Sequence, residues 1–338
     1  MNSFGNIFKI TLFGTSHGPA IGITIDGVPA GLQLSPDELE ADLARRRSDG
    51  TVGCTPRREA DIPEILSGLY NGHTDGTPIT VVFRNGNTRG GDYTQFRRHP
   101  RPSHADLTAA TKYNGFNNPE GGGMFSGRLT APIVAAGVIA KKILSGITFT
   151  TRIVEIGGET DPIKFDTLLT ELRKAGNSAG GIVEITAHGI AAGIGEPFFD
   201  SVESMASHLV FAIPGVKGIE FGAGFTAARR LGSDNNDCIT DRKGTTATNN
   251  DGGINGGITN GNDVVMRVAF KPTPSISTPQ DTYDFSADSI APLSITGRHD
   301  ACIALRGAVV AETALAIALA DLYIRNGCTK MQKCSNYE

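Results

Sequence analysis

The chain has 338 residues, with 31 Lys and Arg against 35 Asp and Glu, a formal charge of −4, and 39% hydrophobic residues. That balance argues against a general nucleic-acid binder, so an anionic ligand would have to be held by locally clustered arginines. The 43 glycines follow no every-third-residue period, which excludes collagen, and no uninterrupted apolar run reaches the roughly 18 residues of a membrane span.

β-Branched residues bounded by glycine predict strands over 8–13 and 21–26. Ser35-Pro36-Asp37-Glu38 has the composition of a capping box and opens a helix that runs to about Arg47. A short strand is predicted over 79–83 and a helix over 105–113. The apolar run 130–144, basic in its last turn, predicts a buried helix. Strand 147–156, amphipathic helix 166–175, strand 181–187, helix 202–211 and strand 263–270 follow, then an Ala-rich core helix over 307–323. The Gly/Asn-rich stretch 232–261 reads as one long loop, a length that often signals function. Segment 22–31 echoes 181–193: each is a strand followed by a G-x-x-A-G turn. Either chance or two related halves with a βαβ-type core accounts for that. The pattern is read as one domain over 1–325 with a mobile tail over 326–338.

Five cysteines, at 54, 238, 302, 328 and 334, form no CxxC pair, so neither a disulfide framework nor a zinc ribbon is indicated. The N-terminus lacks a signal-peptide pattern. The expectation is a reduced, cytoplasmic protein.

Three histidines stand in Gly- or Pro-rich punctuation: His17 in Gly14-Thr15-Ser16-His17-Gly18, His104 in Arg101-Pro102-Ser103-His104, and His299 before Asp300. A histidine in a turn after a strand suits general acid–base work; capping its own turn is the ordinary alternative. With Asp106 and Asp300 these histidines could also ligate a metal, but none of the usual ligand spacings is present. Arginines cluster at 45–47, 57–58, 97–98 and 101. They form either a solvated face or a set of planar donors for phosphate and carboxylate. The run Gly121-Gly122-Gly123 leads into a helix and exposes backbone N–H groups. A second glycine run spans 252–257, and Lys271-Pro272-Thr273-Pro274-Ser275 places a cation in a rigid turn at a strand end.

Taken in order, GTSHGPAIGITIDGVPAG, RPSHADLTAATKYNG with GGGMFSGRLTAPIVAAGVIAKK, and GRHDACIALRGAVVAETALA resemble the chorismate synthase family. GEPFFDS, VKGIEFG, GGINGGI and KPTPSIS fall between them in the family's order, and the likeness runs from Phe4 to about Tyr323. The resemblance implies an α+β fold, a large β-α-β sandwich, and a homotetramer. It implies a lyase that converts 5-enolpyruvylshikimate 3-phosphate to chorismate by 1,4-anti elimination of phosphate, using reduced FMN without net redox change. His17 would then be the proton donor beside the leaving phosphate, His104 would stabilise charge on the flavin pyrimidine, and Asp300 would assist proton transfer at flavin N5. Ser16, Arg46, Arg101 and Arg128 would hold substrate anions. Met124, Phe125, Ser126, Pro214, Gly215, Gly256, Lys271, Pro272, Thr273, Pro274, Ser275 and Arg298 would contact FMN. Some members reduce their flavin with NADPH; without a GxGxxG after a strand, this chain is read as depending on an outside source. It departs from the family pattern at Thr15, Val52, Glu120 and Met124, the last three being usually basic positions.

Overall fold

The computed structural model describes residues 1–47, 50–55, 60–86, 90–295, 297 and 299–327. The chain begins with β1 (Ser3–Phe4), β2 (Lys9–Gly14) and β3 (Ala20–Asp26). A 3-10 turn over Pro36–Leu39 precedes α1 (Glu40–Arg46), and the Glu38 carboxylate accepts from the Ser35 N–H at 2.8 Å. β4 (Pro63–Ser67), β5 (Leu69–Tyr70), β6 (His73–Thr74), β7 (Ile79–Arg84), α2 (Asp106–Lys112) and α3 (Thr130–Ile143) follow. The second half contains β8 (Thr148–Ile156), α4 (Phe165–Lys174), β9 (Gly181–His188), α5 (Val202–Val210), β10 (Val216–Phe221) and α6 (Gly232–Asn235). It ends with the hairpin β11 (Ile254–Asn255) and β12 (Ile258–Thr259), β13 (Val264–Phe270), the hairpin β14 (Gln280–Asp284) and β15 (Ser289–Leu293), and α7 (Ala304–Arg325).

Two sheets carry the architecture, one ordered β1-β2-β3-β7-β4 and the other β10-β13-β9-β8. Setting β1 aside, each sheet takes its strands in the order first, second, fourth, third. In each half one helix (α1 or α5) lies between the second and third strands, and another (α3 or α7) follows the fourth. The sequence echo therefore marks equivalent strands, β3 and β9. A βαβ-type core, one of the two readings of the echo, is not what forms, because these sheets are antiparallel at every pairing. The short turn 15–19 between β2 and β3 can close a hairpin but cannot make a parallel crossover.

Ile21, Ile23 and Ile25 alternate into the core, while Thr24 lies on the other face of β3. α3 lies against β3 and β7; α7 lies against β8, β9 and β13; and the two helices pack on each other between the sheets. Their crossing is close: a Cβ on Gly137 would fall 2.1 Å from Thr313 Cβ. By length and apolarity alone α7 could cross a membrane, but 83% of its apolar window is buried inside the fold. Two of its carboxylates are fastened internally. Asp321 accepts from the N–H groups of Ile7 at 2.7 Å and Phe8 at 2.9 Å. Glu312 takes both Arg45 nitrogens, at 2.8 and 2.6 Å, together with Thr151 Oγ1 and Lys141 Nζ. Burial opposes its ionisation, but Arg45 and Lys141 prevail and bring its pKa down to about 2. On the outer face of the second sheet, Arg152, Glu184, Arg267 and Glu220 form an alternating-charge rung across all four strands.

The stretch 232–261 is not the single loop expected. It contains α6 and the β11–β12 hairpin, and Asp237 ties it together by accepting from the N–H groups of Asn250 at 2.8 Å and Asp251 at 2.9 Å. Of the expected tail, residues 328–338 lie outside the described residues.

Candidate active site

His17 and Ser16 occupy the β2–β3 turn. Ser16 Oγ has carbonyls on one side, Gly121 O at 3.0 Å and Glu120 O at 3.3 Å, and His17 Nδ1 at 3.1 Å on the other. A hydroxyl has one proton and carbonyls only accept, so the serine donates to the loop and His17 Nδ1–H donates to the serine. The proton that His17 gains or loses is then on Nε2. Its ring stands edge-on to Tyr93, with centroids 5.1 Å apart. Gly121, at φ +59°, is required here: a Cβ would fall 1.9 Å from His17 Nδ1. One residue on, a Cβ at Gly122 would lie 3.5 Å from His104 Cε1. The triple-glycine loop thus lies between the two histidines.

His104 follows Ser103, a non-glycine residue at φ +58°. Its Nδ1 lies 2.6 Å from Asp106 Oδ1 and 3.0 Å from Arg101 Nη2. Arginine can only donate, and the shorter carboxylate contact marks Nδ1–H as a donor to Asp106. Arg101 grips the same carboxylate twice, at 2.8 and 2.7 Å, reaches Ser275 Oγ at 3.1 Å and covers the Phe96 ring at 4.3 Å. Burial raises the Asp106 pKa, but Arg101 and His104 outweigh it and hold the carboxyl well below the usual range. Arg101, read from the sequence as a substrate ligand, has its donors turned to this internal network. Lys271 Nζ donates to the Ser103 carbonyl, and its N–H donates to Gly215 O at 2.9 Å. The 271–275 turn and the 214–215 turn are thereby docked on the His104 loop.

Arg46 and Arg128 are both buried and share one carboxylate. Arg46 Nη1 reaches Asp61 Oδ2 at 2.6 Å, and Arg128 Nη1 binds Asp61 Oδ1. Asp61 is held at φ +46°, a costly conformation for a residue with a side chain. Arg46 is further fixed by Thr130 Oγ1 at 2.9 Å and Gly127 O at 3.1 Å. Arg128 Nε donates to Asn85 Oδ1 at 2.7 Å, while Asn85 Nδ2 donates to Thr15 O at 3.0 Å and Gly18 O at 2.7 Å. Asn85 therefore couples the arginine pair to the His17 turn. Among the described residues, the two guanidinium groups share the one carboxylate of Asp61.

Asp300 is buried. It accepts from Thr55 N–H at 2.8 Å and pairs with Arg306. Nearby Cys54 has its thiol pKa pushed up to about 11, by burial first and the Asp300 charge second. Burial, then the charge of Arg101, lowers the pKa of His299. His299 Nε2 and Thr273 Oγ1 are buried without a hydrogen-bond partner.

A cavity of about 220 Å³ opens beside His104, bounded by Phe96, Asp106, Asn118, Gly122 and Phe125. Met124 packs on the core and accepts a weak contact from Asn2 Nδ2 at 3.9 Å. Gly256 is not brought to this region. The adjacent Gly257 abuts Ser201 and Glu196, beside Asp200, which pairs with Arg325 at the far end of α7, about 33 Å from its start. Arg57, Arg58 and Arg298 lie outside the described residues. Among the described residues, no group of three or more His, Cys, Asp or Glu side chains is placed to hold a metal ion. Sequence reasoning missed Asp61, Asn85, Tyr93 and Arg306. Asp61 and Asn85 are ordinary loop residues whose partners lie far along the chain, and no local pattern marks them.

The family described as chorismate synthase matches residues 8–324. A chorismate synthase of Chitinophaga pinensis is 52% identical over 325 residues, covering 96% of this chain and 97% of that one. One from Dehalococcoides mccartyi is 43% identical over 354 residues, with 96% and 97% covered. A solved chorismate synthase crystal structure superposes with a TM-score of 0.73 at 27% identity, covering 95% of this chain and 93% of that one.

Proposed function

This chain belongs to the chorismate synthase family, and on that premise we propose that it converts 5-enolpyruvylshikimate 3-phosphate to chorismate and phosphate with reduced FMN. As a carbon–oxygen lyase of aromatic biosynthesis, it breaks the bond to the ring C3 oxygen. Phosphate leaves with the electron pair, and a ring proton departs from the opposite side. The observation that carries the reading is the glycine loop between His17 and His104, which sets both imidazoles about a single site.

The residues present fit a flavin. Two buried polar atoms, Thr273 Oγ1 and His299 Nε2, lack partners, and Lys271, two residues before Thr273, donates to the Ser103 carbonyl next to His104. When bound, reduced FMN supplies electron density to the substrate ring and is recovered. The chain's own work is then as follows. Arg46 and Arg128 hold the substrate anions. His17, its ring fixed by Ser16, gives its Nε2 proton to the departing phosphate. His104, oriented by Asp106 and supported by Arg101, offsets negative charge at the flavin pyrimidine. Asp300, steadied by Thr55 and Arg306, handles the proton at flavin N5. The 271–275 turn and Pro214-Gly215 hold the cofactor. A cytoplasmic homotetramer is part of the proposal. Free thiols at Cys54, Cys238 and Cys302 support a reducing compartment, and the exposed neighbours Phe198 and Phe199 support an interface between copies.

The test is anaerobic turnover of the purified full chain with chemically reduced FMN, with and without NADPH. The proposal requires equal amounts of phosphate and chorismate, formed only with reduced flavin. Phosphate release without flavin that a chelator stops would overturn it in favour of a metal-dependent hydrolase. Flavin binding without phosphate release would leave a flavin-binding protein only.

A further inference from the structure

β10 and β13 pair in register except at one point. Val216 faces Phe270 and Gly218 faces Ala269, which leaves Lys217 as the extra residue of a β-bulge. Bulges re-aim a side chain and often stand beside functional sites. Val216 and Phe270, which face each other across the pair, are buried, and Lys217 and Lys271 each follow one of them in the chain. Lys217 is exposed. The Lys271 N–H is bonded to Gly215 O at 2.9 Å, so the two lysine stems start side by side.

Building on the flavin reading above, we propose that Lys217 is a second cation for the phosphate monoester of the cofactor, acting with Lys271. Among the described residues no carboxylate pairs with either ammonium group; Lys271 has only the Ser103 carbonyl. Burial, then the charge of Lys217, lowers the pKa of Lys271, so the two cations are in mutual conflict until an anion joins them. Thr273 Oγ1, two residues beyond Lys271, is buried without a partner. Two ammonium groups and an unpaired hydroxyl suit a phosphate carrying −1.5 to −2 charge. The substrate also carries a phosphate monoester, but the Arg46–Arg128 pair is coupled through Asn85 to the His17 turn, which assigns the lysines to the cofactor.

Flavin binding, followed by fluorescence on the full chain, tests this with FMN and with riboflavin, which has no phosphate. The wild type is expected to prefer FMN. Lys217→Gln should weaken FMN about tenfold, the scale of one charge-assisted contact, and leave riboflavin unchanged. Lys217→Arg should retain most of the preference, and Lys174→Gln, the same charge change elsewhere, should lose none of it. An unchanged FMN preference in Lys217→Gln would overturn the proposal. So would equal loss of both flavins, or a raised substrate KM with FMN binding intact, which would point to the substrate phosphate. A wild type that binds no FMN would sink the flavin reading itself, and a wild type that binds FMN and riboflavin alike would sink only the present inference.

Discussion

Two connections occupy equivalent places in the two halves: 85–129 between β7 and α3, and 271–303 between β13 and α7. They carry different chemistry. The first holds the triple glycine, Arg101, Asp106 and His104, whose charged groups bind one another at short range, and Arg128, which pairs with Asp61. The second holds Lys271, Thr273 and His299, two of them with buried atoms that have no partner. The connections dock on each other. Thr282 Oγ1 donates to Pro100 O at 3.0 Å and Phe285 N–H to Arg98 O at 2.8 Å, over a small core of Phe96, Leu293 and Ile295 with Tyr93. A repeated frame thus brings two diverged segments to one place. In our account the first, with the His17 turn, handles protons and substrate charge, and the second handles the cofactor.

The largest expected effect is on the proton side. His17→Ala should lower turnover about 10²–10⁴-fold, the usual range for losing one general acid, with FMN affinity unchanged. A loss below about fivefold at saturating substrate would remove His17 from the chemistry. Gly121→Ala tests the loop between the histidines. Its Cβ would fall 1.9 Å from His17 Nδ1, so the ring must move, and turnover should fall about 10²-fold. Folding should survive with a cost of about 1–3 kcal/mol for the left-handed backbone, read from denaturant melts.

Asp106→Asn probes the support under His104. The Asp106 pKa lies below the unfolded value, so its stabilising contribution is present above about pH 4 and is lost as pH falls. The gap in thermal midpoint between wild type and Asp106→Asn should be constant from neutral pH to about pH 5 and narrow in acid. A gap that widened in acid would contradict the ion-pair account. On the cofactor side, Thr273→Val keeps the shape and removes an unpartnered hydroxyl. It should weaken FMN about fivefold while raising the flavin-free midpoint by the equivalent of about 1 kcal/mol. The smallest effect is expected outside both connections. Arg152→Ala on the exposed rung should cost under about 1 kcal/mol and change neither turnover nor flavin affinity.

Much of the frame was legible before the structure. β3 and β13 alternate cleanly and their buried faces follow that period, while α3 and α7 are apolar over long runs and are buried almost all round. β10 was hidden because the bulge at Lys217 breaks its alternation, and β4 and β15 because each contains a proline. At the site, the histidines were visible through their glycine and proline punctuation. Their meeting was not, since Ser16 and Gly121 are 105 positions apart. The family resemblance implies Arg101 as a substrate ligand; the distances to Asp106 and Ser275 show where its donors go in the structure.

Single-turnover phosphate release at saturating, pre-reduced FMN, with His17→Ala and Thr273→Val side by side, tests the division of labour most directly. The account predicts that saturating flavin restores Thr273→Val to near the wild-type rate, while His17→Ala remains slow by about 10²-fold or more. Equal slowing of both, or a fast His17→Ala beside a slow Thr273→Val, would contradict it.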